Sequence, residues 1–375
     1  MKIVIDNKIP FIRGVFEPFA DVVYLPGAKT TPEDVRDADA LITRTRTICN
    51  KSLLEGSKVR MIATATIGFD HIDTSWVESA GIAWTNAPGC NSWSVEQYIA
   101  SVLVCLAQKH SFRLEDMTLG VVGVGNVGSK VAKIASLLGM KVLLNDPPRA
   151  RREGPDAFVS LDEVIERADI ITLHVPLEKQ GPDATLHLFD RERLSRLKRD
   201  RILINSSRGP VVDNAALLDA LKAGAIKGAV LDVWEDEPAP DPELVAALDI
   251  STPHIAGYSA DGKANGTTMS VQAVAMALGL PLSEWVASGI PDPVMPLEFT
   301  VDAASKTDAE VLAEAILHTY DVRQDSDLLR ADLSAFERLR GDYRIRREFK
   351  AFTIMLQGGN ASQKDTLEAM GFKVR

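Results

Sequence analysis

The chain has 375 residues, 46% hydrophobic and 25% charged, the balance of a soluble globular protein long enough for roughly two to three domains. Its formal net charge of −10 argues against nucleic acid or an anionic membrane as the main partner, and requires any anionic ligand to be held by locally placed cations. No apolar run approaches the ~20 residues that span a bilayer, and the start MKIVIDNKIPF lacks the apolar core of a signal peptide, so no membrane partner and a cytoplasmic location are expected.

Ile3 to Ile5, Val22 to Leu25, Ala40 to Thr43, Val59 to Ala65 and Ala83 to Asn86 read as short strands separated by helix and turn signals, which predicts a small parallel α/β sheet. Cys49, Cys90 and Cys105 are odd in number and show no CxxC spacing; they read as reduced thiols, and no metal is expected. Tyr98 to His110, apolar at helical period, is the helix that connects this sheet to the next domain.

Leu119 to Val122 then reads as a buried strand that runs into Gly123, Gly125 and Gly128, a G-x-G-x-x-G loop completed by Asn126 and Val127. Val127, Val131, Ile134 and Leu138 define the next helix, whose unpaired N–H groups and positive dipole end face the place of a phosphate. Gly139 stops it, Met140 to Leu144 is a second strand, and Asp146 stands where the fold puts the acid that binds an adenosine ribose. A bare glycine turn would be weak evidence, but strand, helix, second strand and acid in register predict dinucleotide binding. A carboxylate there favours the ribose hydroxyl of NAD over the phosphate of NADP, a preference that Arg149 would soften.

Leu161 to Arg167 and Asn214 to Ala223 read as helices, and Ile170 to His174, Ile202 to Asn205 and Ala229 to Asp232 as further strands, enough for a doubly wound sheet. Ligands bind such sheets at the carboxyl ends of the strands, where NSSRG (205–209), DVWEDEP (232–238) and TPHIAGY (252–258) fall. Gly257 to Leu280 reads as a long helix that returns the chain to the first domain. Pro281, Pro291, Pro293 and Pro296 mark a linker. Beyond it, a helix at Asp308 to Tyr320, a charged segment at Glu337 to Lys350, a strand at Phe352 to Leu356 and a helix at Ser362 to Met370 form a small third module, with Arg344, Arg346 and Arg347 on a solvated face.

Arg208, Glu237 and His254 each follow a strand on one rim of the second sheet. An arginine fork can hold a substrate carboxylate, a histidine can take a hydroxyl proton as a hydride leaves, and a glutamate beside the histidine would hold its ring. Singly, each has a plain reading as a loop charge or a strand-end residue; together behind an NAD fold they point to a dehydrogenase.

GVVGVGNVG, HVPL, NSSRG, DVWEDEP and TPHIAGY in this order closely resemble the D-2-hydroxyacid dehydrogenases over about residues 1 to 285. The resemblance implies a Rossmann-type doubly wound parallel sheet (101–255) inserted in a smaller flavodoxin-like α/β substrate domain (1–100 and 256–285). It also implies catalytic roles for Arg208, Glu237 and His254, with Asp232 near the nicotinamide amide. Within the family, TATIGFDHID, NAPGCN, NDPPR, TPHIAGYSADGKANGTT and YDVRQDSDLLR look like the branch that oxidises a phosphorylated four-carbon hydroxy acid. In that branch a C-terminal α/β dimerisation module (286–375) makes a homodimer, Thr45, Thr66 and Tyr258 contact substrate, and Asp146, Val175, Gly257 and Ser206, Ser207 and Arg208 line the cofactor. Ser92, Trp93, Ser94 and the Glu96-Gln97 pair depart from its pattern. Arg44 and Arg46, flanking Thr45 directly after the strand ALIT, are the cations best placed for the phosphate; two solvated loop arginines are the plain alternative. A three-carbon phosphorylated acid as substrate, or an NAD sensor without turnover, are the rival readings.

Overall fold

The computed structural model describes residues 1–375, which divide into two compact units: residues 1–91 with 259–291, and residues 92–258 with 292–375. In the first unit β1 (Lys2–Asp6), β2 (Asp21–Leu25), β3 (Ala40–Thr43), β4 (Met61–Thr64) and β5 (Ala83–Thr85) form one parallel sheet in the order β2-β1-β3-β4-β5, the flavodoxin-like order. Its short apolar strands are covered on both faces, and successive side chains point to opposite sides. Ile3, Ile5, Ala40, Ile42 and Ala63 meet Val271, Val274 and Leu278 of the Ala260–Leu278 helix, while Val4, Leu41 and Ile62 meet Leu53, Leu54 and Val77. That helix returns the chain as expected, but it starts at Ala260 because the Ser259 hydroxyl accepts the Gly262 N–H (2.8 Å) and caps it. Gly257 and Tyr258 are therefore loop residues. Gly266 lets the helix lie on the sheet: a Cβ there would sit 2.6 Å from the Ala65 carbonyl oxygen.

The second unit holds a six-stranded parallel sheet of β6 (Thr118–Val122), β7 (Lys141–Asn145), β8 (Ile170–Leu173), β9 (Ile202–Asn205), β10 (Gly228–Leu231) and β11 (Ile250–Ser251), in the order β11-β10-β9-β8-β6-β7. The chain starts at β6, goes to one side for β7 and then crosses to the other for β8 to β11, so the order reverses between β6 and β8. This is the doubly wound sheet with a switch point where such folds bind ligands. A separate parallel sheet, β12 (Glu298–Asp302), β13 (Thr353–Gln357) and β14 (Lys373–Val374), is built by the C-terminal segment. Its residues Val311, Ile316, Tyr320, Phe352 and Leu367 belong to one buried cluster with Tyr98, Ile99, Val102, Leu103 and Leu106 of the Ser92–His110 helix. No helix is long and apolar enough to cross a membrane.

Two expectations are corrected by packing. The connecting helix starts six residues before Tyr98, at Ser92, because Ser92, Ser94, Glu96 and Gln97 are buried polar residues and not a solvated lead-in. Gln97 donates to Thr319 Oγ1 (3.2 Å) and to the Arg347 carbonyl (2.9 Å), and Ser94 donates to Glu348 Oε1 (3.1 Å). Of the residues that depart from the family pattern, Ser94 and Gln97 thus face the C-terminal segment, whereas exposed Trp93 lies under Lys130. Nor do Arg344, Arg346 and Arg347 form a solvated face. Arg346 is 2% exposed, with its guanidinium carbon 4.4 Å from the centroid of the Tyr320 ring, and Arg344 pairs with buried Asp325 at 3.2 Å. Apolar and aromatic stems around a cation make that burial tolerable.

Candidate active site

The glycine loop leaves β6 through Gly123, whose φ of +87° suits only glycine. A Cβ on Gly128 would lie 1.9 Å from the Gly123 carbonyl oxygen, so the turn closes only without a side chain there. Around Gly125 a Cβ would meet nothing within 4 Å, which leaves the backbone open to a ligand. The Gly128–Leu137 helix begins at this loop, and Val127 at its N-cap supplies no side-chain acceptor to its first N–H groups. Asp146 follows β7 and is built into the loop: its carboxylate accepts the Val124 N–H (2.8 Å) and the Arg149 N–H (2.9 Å). Arg149 is turned away from a phosphate role. It donates to the Val124 carbonyl (2.6 Å) and to both carboxylate oxygens of Glu153 (2.9 and 2.6 Å).

Val175 follows β8 and borders Gly123. After β9, Asn205 shapes the next turn by accepting the Ser207 N–H (3.0 Å) and hydroxyl (2.8 Å) and donating to the Arg208 carbonyl (2.9 Å). The neighbouring Ser206 hydroxyl is buried without a hydrogen-bond partner. Such a group needs a partner to offset its desolvation. Open backbone at Gly125, a helix N-terminus without a side-chain cap, a carboxylate at the end of β7 and an orphaned hydroxyl on the same rim fit a dinucleotide.

Half-buried Arg208 stands at the end of β9, and its Nη1 donates to the Ser207 carbonyl (2.9 Å). Gly209 beside it permits a close approach, since a Cβ would be 1.9 Å from the Trp234 carbonyl oxygen. Glu237 and His254, on the loops after β10 and β11, are hydrogen-bonded through His254 Nδ1 at 2.8 and 3.1 Å to the two carboxylate oxygens, which leaves Nε2 for a substrate. Burial pushes the Glu237 carboxyl up, but the His254 bond and charge, the Trp234 N–H and the Arg340 guanidinium outweigh it and hold its pKa below the ordinary value.

His254 has φ +57°, an uncommon conformation for a residue with a side chain. Asp232 enforces it. The Asp232 carbonyl accepts the His254 N–H (2.7 Å), and its carboxylate accepts the N–H groups of Ile255 (2.8 Å) and Ala256 (2.9 Å) and the Thr252 hydroxyl (2.6 Å). Buried and 1% exposed, the Asp232 carboxyl is pushed up by desolvation, against the lowering effect of His254 and its hydrogen-bond donors. The Thr252 hydroxyl also meets the Tyr98 hydroxyl at 2.8 Å.

Of the expected substrate residues, Thr45 and Thr66 follow β3 and β4, whose last residues Thr43 and Thr64 are paired in register, so the two stand at the same end of the first sheet. Thr66 bonds Thr64 Oγ1 (2.8 Å) and the Gly68 carbonyl (2.9 Å). Thr45 and Arg46 are exposed and Arg44 is half-buried, with Nη1 3.4 Å from the Lys8 carbonyl. Tyr258 belongs to the second unit, where its hydroxyl accepts from Arg340 Nε (2.9 Å). Arg340 escaped the sequence reading. It lies on the Phe336–Gly341 helix in a segment whose run of charges carried no apolar period.

Residues 101–256 match the model of the D-isomer specific 2-hydroxyacid dehydrogenase NAD-binding domain, and residues 294–371 match a domain of unknown function, DUF3410. The chain is 52% identical to the erythronate-4-phosphate dehydrogenase of Bacteroides fragilis (strain ATCC 25285) over 95% of this chain and 99% of that protein. It is 44% identical to the erythronate-4-phosphate dehydrogenase of Edwardsiella ictaluri (strain 93-146) over the whole of both chains. Among solved structures, the D-lactate dehydrogenase of Aquifex aeolicus complexed with NAD and lactic acid matches with a TM-score of 0.62 and 28% identity, over 74% of this chain and 96% of that one.

Proposed function

The chain belongs to the erythronate-4-phosphate dehydrogenases, and on that premise we infer that it oxidises the 2-hydroxyl of 4-phospho-D-erythronate to (R)-3-hydroxy-2-oxo-4-phosphooxybutanoate with NAD. The step is one of pyridoxal 5′-phosphate (vitamin B6) biosynthesis. The observation that carries the chemistry is the 2.8 Å bond between Glu237 and His254 Nδ1, which fixes the ring with Nε2 free for a substrate hydroxyl.

In this reading the Arg208 fork holds the substrate carboxylate and so orients the adjacent carbon. His254 Nε2 takes the hydroxyl proton while Glu237 stabilises the imidazolium that forms. NAD, when bound, accepts the hydride released from the same carbon. Gly123, Gly125, Asn126, Val127 and Gly128 cradle its phosphates, Asp146 takes the adenosine ribose, and Val175, Ser206, Ser207, Arg208, Asp232 and Gly257 line the rest of the cofactor. Thr45, Thr66 and Tyr258 contact the substrate, and Arg44 and Arg46 bind its phosphate. Residues 286–375 form a homodimer contact, and the enzyme acts in the cytoplasm.

NADH formation in a single turnover, with 4-phospho-D-erythronate and 3-phosphoglycerate compared, tests the reading. Reduction with the four-carbon acid is expected, and its loss by about a thousandfold or more in His254→Ala, with NADH binding kept. Reduction with 3-phosphoglycerate alone would sink the substrate assignment.

A further inference from the structure

The segment after residue 292 does more than add a sheet to the second unit, because it grips both sides of the loop that carries His254. Arg346 Nη2 donates to the carbonyls of Ala256 (2.5 Å) and Ile255 (3.3 Å), immediately after the histidine. Arg340 Nε donates to the Tyr258 hydroxyl (2.9 Å), its guanidinium carbon lies 5.7 Å from the Tyr258 ring centroid, and its Nη1 is 4.0 Å from Glu237 Oε2. Tyr343 backs Tyr258 edge-on, with ring centroids 6.1 Å apart.

We propose that Arg340 is a positioning residue of the acid/base site, which holds the Glu237–His254 pair in its unprotonated, negatively charged form and fixes the Tyr258 hydroxyl. The inference rests on the reaction proposed above. The pair titrates as a unit and carries no net charge with its proton and one negative charge without it. A guanidinium, always charged, stabilises the second form more. In the oxidative direction that is the working form, since the pair must take a proton from the substrate.

The other groups that face the pair divide by sign. Asp232 lies on the far side of the His254 backbone and favours the protonated form, although its carboxylate is tied by three donors. Arg346, behind Ile255 and Ala256, opposes Asp232. Glu337, on the helix of Arg340, faces the guanidinium and offsets part of its charge. Arg208 adds a cation from the turn after β9 and is neutralised once it holds the substrate carboxylate. Arg340 Nη1 lies 4.0 Å from Glu237 Oε2, and its charge is among those that hold the Glu237 carboxyl low.

The test compares wild type, Arg340→Gln and Arg340→Lys. In Arg340→Gln the acidic limb of the kcat/KM profile for 4-phospho-D-erythronate should move up by about one pH unit, so that activity falls up to about tenfold near neutrality and recovers in base. Arg340→Lys should keep the limb near its wild-type position and raise KM, as Tyr258→Phe should too, because an ammonium keeps the charge but loses the Nε–H that holds the tyrosine. A loss in Arg340→Gln that is equal at every pH, as a merely structural role would give, overturns the proposal. The titration of the His254 ring by NMR in the free protein, assigned with His254→Gln, decides the matter without substrate: it should lie higher in Arg340→Gln than in wild type, because the pair holds its proton more tightly once the arginine is gone. An unmoved titration overturns the proposal. Wild-type silence toward 4-phospho-D-erythronate beside a shifted titration would sink the substrate reading and leave Arg340 supported.

Discussion

Asp146 serves two masters, since one carboxylate closes the glycine loop at the Val124 N–H and caps the Pro147–Glu153 helix at the Arg149 N–H. A carboxylate has about four acceptor sites, so the ribose contact is compatible with both. Asp146→Ala should therefore raise KM for NAD about tenfold with a much smaller change for NADP, and cost about 1 kcal/mol of stability through the lost cap. Asp146→Asn, also a good cap, should keep the stability and narrow the NAD preference. Steady-state kinetics with both cofactors and thermal melts of the two variants check this; equal effects on NAD and NADP would remove the ribose assignment. At this scale the sequence was legible wherever a residue's place depends on local register. Gly123, Asp146, Glu237 and His254 follow strands whose apolar runs are plain, and the structure puts them in the segments after those strands, with Gly128 opening the next helix. Arg340 and Arg346 were illegible because their roles depend on a chain segment folding back more than eighty residues to Tyr258 and Ala256. No local pattern encodes that.

The Ser92–His110 helix shows the same limit one level up. Its apolar half from Tyr98 was readable by period, whereas its first turns carry buried Ser, Glu and Gln that local rules assign to water. The Val322–Ala331 helix was missed for the same reason, with Asp325 and Ser326 buried beside Val322 and Leu329. Burial of an acid in such a helix has a measurable consequence. Glu96 is 1% exposed, and its carboxyl is pushed up to about 8, first by burial and further by Glu348, with Lys133 and Lys130 pulling the other way. The folded chain thus binds the Glu96 proton more tightly than the unfolded chain, whose carboxyl titrates near 4.5. This contribution to stability is complete below about 4.5 and is lost as pH rises through about 8. Glu96→Gln, which keeps the shape without the charge, should match wild type near pH ~5 and exceed it near pH ~9 by about 2 kcal/mol, the shift being discounted for relaxation around the ionised group. Melting curves across that range test it, and a difference that does not grow with pH would refute the buried-acid account.

At the scale of the whole molecule, composition and alternation were enough to announce parallel α/β sheets, and the prolines from 281 to 296 do mark a stretch of little regular structure ahead of β12. The expected C-terminal module is there as a small sheet of its own, but it shares a core with what precedes it. The C-terminal segment shares its buried cluster with the Ser92–His110 helix, and it satisfies polar groups on that helix: Ser101 Oγ accepts the Val322 N–H (3.0 Å), and Gln97 bonds Thr319 and Arg347. A chain ending at Pro291 would expose Tyr98, Val102 and Leu106 to water, at about 1.5–3 kcal/mol for each large side chain, and would strand the buried polar groups among them. Those losses together, about 10–20 kcal/mol once Ile99, Leu103 and the unpaired Gln97 and Ser101 are included, are comparable to a whole domain's stability of about 5–15 kcal/mol. The truncated chain is expected to aggregate or to lack a cooperative melt, and to fail to bind NADH although every residue of the glycine loop is present. Expression of residues 1–291 beside the full chain, followed by thermal melts and NADH titration, gives the comparison. A soluble truncated chain that bound NADH as the full one does would mean that the shared core is dispensable, and that the nucleotide-binding sheet stands without the segment that braces the loop of His254.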